Sequence, residues 1–193
     1  IKVTILIIRR NGGVLWVGEK ELVVKAQEGN KHAMNVLLQN NYKALFGFTL
    51  KMTASMHLTE DIVQEVCLRA VINIKKFKGN SQFQSWLISI AINYYKDLLR
   101  KNKNIEYVGQ EELYNLPNDN GENIFNKLQV QEVLQELNKL PYEKRISFIL
   151  KHYYGYTYEE ISKILGCSQG TTKSRIFYTI SNLKKKLIGS EVQ

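Results

Sequence analysis

Between Ser168 and Leu187 the chain carries Lys173, Arg175, Lys184, Lys185 and Lys186 and no carboxylate. Thr172, Ile176, Ile180, Leu183 and Leu187 recur at helical spacing, which predicts one apolar stripe. Thr171, Ser174, Arg175 and Tyr178 then fall roughly opposite, with Lys173 and Phe177 at the flank. These residue types suit nucleic acid. A guanidinium can span the O6 and N7 acceptors of guanine, hydroxyls bond base edges or phosphates, and lysines neutralise phosphates. Bond-breaking chemistry has no comparable footing. His32, His57 and His152 are scattered, and Cys67 and Cys167 lie a hundred residues apart with no CxxC pair. No zinc or other metal site, disulfide framework, Ser/His/Asp arrangement or phosphate-binding glycine loop is supported, which sets an enzyme aside and implies no cofactor.

The elements that must position these groups can be read from local signals. Thr157 and Glu160 form a capping-box pattern, and Ile161, Ile164 and Leu165 give the following helix a buried face. Gly166 can take the positive φ that ends it, and Ser168 is a natural N-cap for the next. A short bracing helix, a tight turn and a second helix with a polar N-terminal face make a helix-turn-helix. The same spacing also suits a helical hairpin that closes a core behind a solvated basic face. Spacing alone does not choose between them.

Two other clusters stand upstream. Asp61, Gln64 and Glu65 in TEDIVQEVCLRAV sit at i, i+3 and i+4, opposite the Ile62 and Val66 stripe. The two carboxylates repel by a few tenths of a kcal/mol. On residue physics alone this is a solvated face near a helix N-terminus, where acids are favourable; a basic partner surface is the other reading. Further on, Lys75, Lys76 and Lys78 interleave with Phe77, Phe83, Trp86, Tyr94 and Tyr95, and the next helix exposes Asn93, Lys96, Asp97 and Arg100. Cations with aromatics can hold unstacked bases. The plainer reading puts Phe83 and Trp86 in the core.

The scaffold reads as all-α. A helix from Glu19 is broken at the Gly29-Asn30 turn, a second runs roughly from Tyr42 to Thr53, and a third begins near Thr59. KFKGNSQF is a loop. Ser81 and Gln84 suggest a capping box for a helix with the stripe Phe83, Leu87, Ile90, Tyr94 and Leu98. Periodicity fades over residues 102–127, where five acids against two lysines leave a local charge of −3. The expected architecture is two small helical domains, 19–101 and 128–190, joined by a flexible acidic linker, the second domain a helix-turn-helix. Residues 1–18 are atypical, and one reading is that natural translation starts nearer Val17; a mature N-terminus at Ile1 would refute it. Net charge is +9, which favours an anionic partner. The apolar run Ile5 to Ile8 is too short to span a bilayer, so no direct membrane insertion is expected. Cysteine usage fits a reducing, cytosolic setting.

Taken in order, DIVQEVCLRAV, KFKGNSQFQSWLISIAINYYKDLLR and LNKLPYEKRISFILKHYYGYTYEEISKILGCSQGTTKSRI resemble the extracytoplasmic-function (ECF) sigma factors of bacterial RNA polymerase. The resemblance covers Glu19 to Leu187. It rests most on Phe83, Trp86, Leu87, Ile90, Ala91 and Asn93, and on LGCSQGTTKSR. It implies a factor that docks on core RNA polymerase through Asp61, Gln64 and Glu65, which reverses the preference for a merely solvated face. It implies minus-ten recognition and melting, with capture of a flipped base, at Lys78, Gly79, Asn80, Ser81, Phe83 and Asn93, with Lys96 and Arg100 on the exposed face beside them. It implies duplex minus-thirty-five binding at Thr171, Lys173, Ser174, Arg175 and Phe177, with Tyr178 where an arginine is frequent. An anti-sigma factor is a common partner in the family, though no residue here identifies one. Cys67 stands where Phe is usual and Thr172 where Val is common. A stand-alone helix-turn-helix regulator is the competing reading, and the DIVQEV face and tryptophan helix argue against it.

Overall fold

The computed structural model describes residues 15–101 and 133–187, and among them every regular element is helical. The acidic stretch 102–127 and residues 1–14 lie outside the described residues. Helix α1 (Leu15–Gln27) starts four residues before Glu19, so the atypical N-terminal segment and the first helix overlap. Gly29, at φ +94°, turns the chain, and Asn30 caps α2 through its side chain, which accepts from the Ala33 amide at 3.0 Å.

Helix α2 (Lys31–Thr53) is one 23-residue helix where the sequence suggested two. No glycine turn or proline interrupts it before Ala54, and its buried polar residues turn their side chains back on the helix. Asn41 donates to the Leu37 carbonyl at 2.8 Å, Thr49 to Leu45 at 2.9 Å and Thr53 to Thr49 at 3.0 Å. Burying these groups is tolerable because each is bonded. Helix α3 (Met56–Asn73) opens three residues earlier than Thr59, at the Ser55 cap. Thr59 is instead buried, its hydroxyl 2.9 Å from that of Thr53. A short 3-10 turn (Ile74–Lys76) leads into the 77–82 loop and then α4 (Phe83–Lys101).

Residues 133–138 are helical and meet α5 (Tyr142–His152), α6 (Tyr158–Leu165) and α7 (Gln169–Leu187). The two helical sets pack against each other through tyrosines. Tyr154 meets Phe48 edge-on with centroids 5.6 Å apart, and a Cβ at Gly47 would come 3.6 Å from the Tyr154 hydroxyl. Ser85 donates to the Tyr156 hydroxyl at 3.0 Å. Arg145 is closed to solvent; its Nη2 donates to the Tyr95 hydroxyl at 3.2 Å and its Nη1 to Asn138 Oδ1 at 3.2 Å. A buried charge is stable only with such partners, so Arg145 ties α4 to the second helical set. Nothing in its sequence context marks it out.

Candidate nucleic-acid interface

The first candidate surface is the loop between the 3-10 turn and α4. Lys78, Gly79, Asn80 and Ser81 are all exposed. Gly79 has φ +71°, a conformation L side chains rarely adopt, so the tip needs its glycine. Beneath the loop three aromatic rings interlock. Phe77 packs edge-on against Phe83 at 5.6 Å, and Trp86 lies 5.0 Å from Phe77 and 5.4 Å from Phe83. Phe83 has no exposed surface. Its expected contact with a base is therefore corrected: the side chain supports the loop from below.

The loop is also gripped at both ends by α1. Gln27 Nε2 donates to the Ile74 carbonyl at 3.1 Å and the Phe77 carbonyl at 2.8 Å. Glu19 Oε1 accepts from the Phe83 amide at 2.9 Å. That carboxylate takes the capping role expected of Ser81, which stays exposed. A hollow of about 340 Å³ lies between α1 and the loop, lined by Val23, Val24, Phe77 and Gly79 among others. Neither Glu19 nor Gln27 carried a signal in the sequence, because each acts on residues 47 or more positions away. The buried face of α4 is Phe83, Leu87, Ile88, Ala91, Ile92 and Tyr95, with Ile90, Tyr94 and Leu98 half-buried beside it. Asn93, Lys96 and Arg100 are exposed as expected, and Arg100 is ion-paired with Asp97.

The second surface is the outer face of α3. Asp61 and Gln64 are exposed and Glu65 is half-buried. The Arg69 guanidinium bonds Glu65 at 2.6 Å and lies 4.5 Å from the centre of the Tyr94 ring. His57 Nδ1 sits 3.3 Å from Asp61. Leu68 and Ile72 continue the same face at helical spacing and are exposed, with Val71 beside them. Acid thus gives way to an apolar surface along one helix. Residue periodicity alone places Leu68 and Ile72 on this face, away from the Ile62 and Val66 stripe. Cys67 is half-buried against the core, and burial pushes its thiol pKa up, as suits a packing residue.

The third surface is the helix pair. Thr157 and Glu160 make both bonds of the capping box, and Gly166 ends α6 at φ +63°. Ser168 Oγ accepts from the Thr171 amide at 3.0 Å. Thr172, Ile176, Thr179 and Leu183 are buried, while Thr171, Lys173, Ser174, Phe177 and Tyr178 are exposed. The structure therefore brings those five onto the open side of α7. Arg175 is only half-exposed, with Nη1 3.6 Å from Cys167 Sγ in the turn. Lys184, Lys185 and Lys186 are all exposed, and Lys186 also pairs with Glu136 at 2.9 Å. The Lys139 and Lys186 ammonium groups hold the Glu136 carboxyl below its usual range. Among the described residues no cluster of His, Cys, Asp and Glu could hold a metal ion, and no helix is long and apolar enough to cross a membrane.

The chain is similar to known proteins. Residues 37–105 match the family model for Sigma-70 region 2, and residues 130–178 match that for Sigma-70 region 4. The ECF RNA polymerase sigma factor SigW of Bacillus subtilis is 30% identical over 183 residues, covering 87% of this chain and 96% of that one. The ECF RNA polymerase sigma-E factor of Haemophilus influenzae is 28% identical over 180 residues, covering 88% and 95%. Among solved structures, the sigma factor RpoE of Bartonella quintana, in complex with the anti-sigma factor NepR, is similar at a TM-score of 0.62 and 25% identity, covering 78% of this chain and 93% of that one. CnrH, in complex with the cytosolic domain of CnrY, shares the fold at a TM-score of 0.66 and 22% identity, covering 89% and 98%.

Proposed function

The chain belongs to the ECF sigma factors of the sigma-70 type, which direct transcription initiation, and we propose that its three surfaces divide that work between them. The outer face of α3, with Asp61, Gln64 and Glu65, docks on core RNA polymerase. The loop Lys78 to Ser81, with Asn93, Lys96 and Arg100 on α4, takes the melted minus-ten strand. Capturing an unpaired base offsets unstacking, typically a few kcal/mol. A loop held at both ends suits that role, because little ordering remains to be done on binding. The helix pair α6 and α7 takes the minus-thirty-five element as duplex, through Thr171, Lys173, Ser174, Arg175, Phe177 and Tyr178. The site of action is the cytoplasm, where polymerase and promoter are. An anti-sigma factor joins the partners on the analogy of the RpoE complex with NepR.

The observation that carries this reading is the loop itself. A tip of lysine, glycine, asparagine and serine stands exposed over the Phe77, Phe83 and Trp86 cluster, on a chain that also presents a helix-turn-helix. Run-off transcription from a promoter library, with core polymerase alone and with this protein added, tests it. Specific transcripts that depend on the protein are expected. Duplex binding without core binding or transcripts would favour a stand-alone regulator.

A further inference from the structure

On α7 the residues that face outward are polar or glycine at the first turns and aromatic at the third. Phe177 and Tyr178 are 68% and 59% exposed, among the most open large apolar residues described. Their rings meet at 74° with centroids 5.8 Å apart, an edge-to-face contact in which each ring steadies the other. Helical geometry places Ser174 between them, one turn towards the N-terminus. The two cations on the preceding turn of α7 are turned aside. Arg175 reaches back to Cys167, and Lys173 Nζ lies 5.7 Å from the centre of the Tyr158 ring. Between Arg175 and Lys184 the helix has no charged residue at all.

Large apolar side chains left in water on a helix that otherwise carries hydroxyls and cations mark a contact surface. Major-groove chemistry fits such a surface in one way. Among the base edges only thymine offers an apolar group there, its C5 methyl, and aromatic or aliphatic side chains read it by contact. Neither ring can replace a guanidinium across guanine O6 and N7.

Resting on the minus-thirty-five role proposed above, we propose that Phe177 and Tyr178 are specificity residues that read thymine methyls in duplex DNA under the third turn of α7. Phosphate anchoring falls to cations beside the rings. Tyr178 forms one edge of a hollow of about 250 Å³, with Lys144 from α5 and Ser181, Asn182 and Lys185 from α7 around it. Lys144 and Lys185 stand where a phosphate flanking the contacted base pairs would be neutralised. A protein partner for the aromatic pair is the competing occupant. The absence of any acid over residues 168–187 and the two lysines around the hollow at Tyr178 favour DNA.

The test uses the full chain and duplexes selected by it from a random pool, so it needs no transcription and stands apart from the run-off assay. Each thymine of the selected element is replaced in turn by deoxyuridine, which removes only the methyl. At one or two positions the affinity should fall about three- to fivefold, the worth of one buried methyl. Phe177→Ala or Tyr178→Ala should weaken the parent duplex and remove that sensitivity. Tyr178→Arg should steepen the slope of log affinity against log salt by about 0.9, as one phosphate contact is gained, and should flatten the discrimination between thymine and uracil. Lys185→Ala should make that slope shallower and leave the methyl discrimination intact. Equal affinity for every deoxyuridine duplex overturns the inference. So does methyl sensitivity that survives both alanine variants, or alanine variants that bind DNA normally and lose only a protein partner.

Discussion

The two reading surfaces use aromatic residues in opposite ways. Around the 77–82 loop the rings of Phe77, Phe83 and Trp86 turn inward and pack on one another, and the exposed tip is lysine, glycine, asparagine and serine. On α7 the hydroxyls and methyls of Thr172 and Thr179 turn inward, and Phe177 and Tyr178 stand in water. The difference follows from what each must read. A base pulled from the stack can be enclosed by a shaped loop, and aromatic packing gives that loop its shape. A base pair left in the duplex offers only an edge, so recognition has to come from side chains that project.

The contrast is broken most directly at Phe83. Phe83→Ala should destabilise the protein by about 3–5 kcal/mol in urea unfolding, the range for a buried phenylalanine. A loss below about 1 kcal/mol would mean the ring supports nothing. Asn93→Ala sharpens the comparison from the other side. It should lower promoter opening about tenfold, about 1.4 kcal/mol, as read by permanganate reactivity of unpaired thymines. Unfolding and duplex minus-thirty-five binding should be unchanged; an equal loss in both assays would deny that the loop and α7 read separately.

A smaller effect tests the inward tyrosines of the second half. Burial, reinforced by Glu143, pushes the Tyr142 phenol up to about 12 from an ordinary 10.0. Burial pushes Tyr154 up as well. A raised folded pKa gives stability that is complete below the unfolded value and is lost as pH climbs towards the folded one. The urea midpoint should therefore hold up to about pH 10 and fall as pH approaches 12. A midpoint flat across that window would show that these phenols titrate as freely as in the unfolded chain. The smallest effect belongs to the outward rings. Phe177→Ala and Tyr178→Ala should each change stability by no more than about 0.5 kcal/mol. A larger loss would make them core residues after all.

Local signals in the sequence located most of the second half. The capping box at Thr157 and Glu160, the Gly166 stop and the Ser168 cap are each decided within four residues, so each was legible. Side chains acting at a distance were not. Glu19 caps α4 in place of Ser81, Gln27 fixes the loop entry, and Arg145 bonds Tyr95 across 50 positions. The docking of the two helical sets was hidden for a related reason. Tyr154, Tyr156 and Tyr95 are amphipathic, and periodicity cannot say whether such a residue meets water or a neighbour. The unbroken α2 was missed because helix propensity around Asn40 and Asn41 is weak, and tertiary burial of Asn41 overrides it.

The grip of α1 on the loop bears on where this protein can be cut. The Sigma-70 region 2 match begins at residue 37 and contains every residue of the loop and of α4 as far as Lys101, yet neither Glu19 nor Gln27. A fragment trimmed to that boundary would keep the base-reading sequence and lose the acceptor of the Phe83 amide and the donor to the Ile74 and Phe77 carbonyls. The unit of homology and the unit of shape differ here by one helix. The shortest piece able to hold the loop as described has to begin upstream of Glu19.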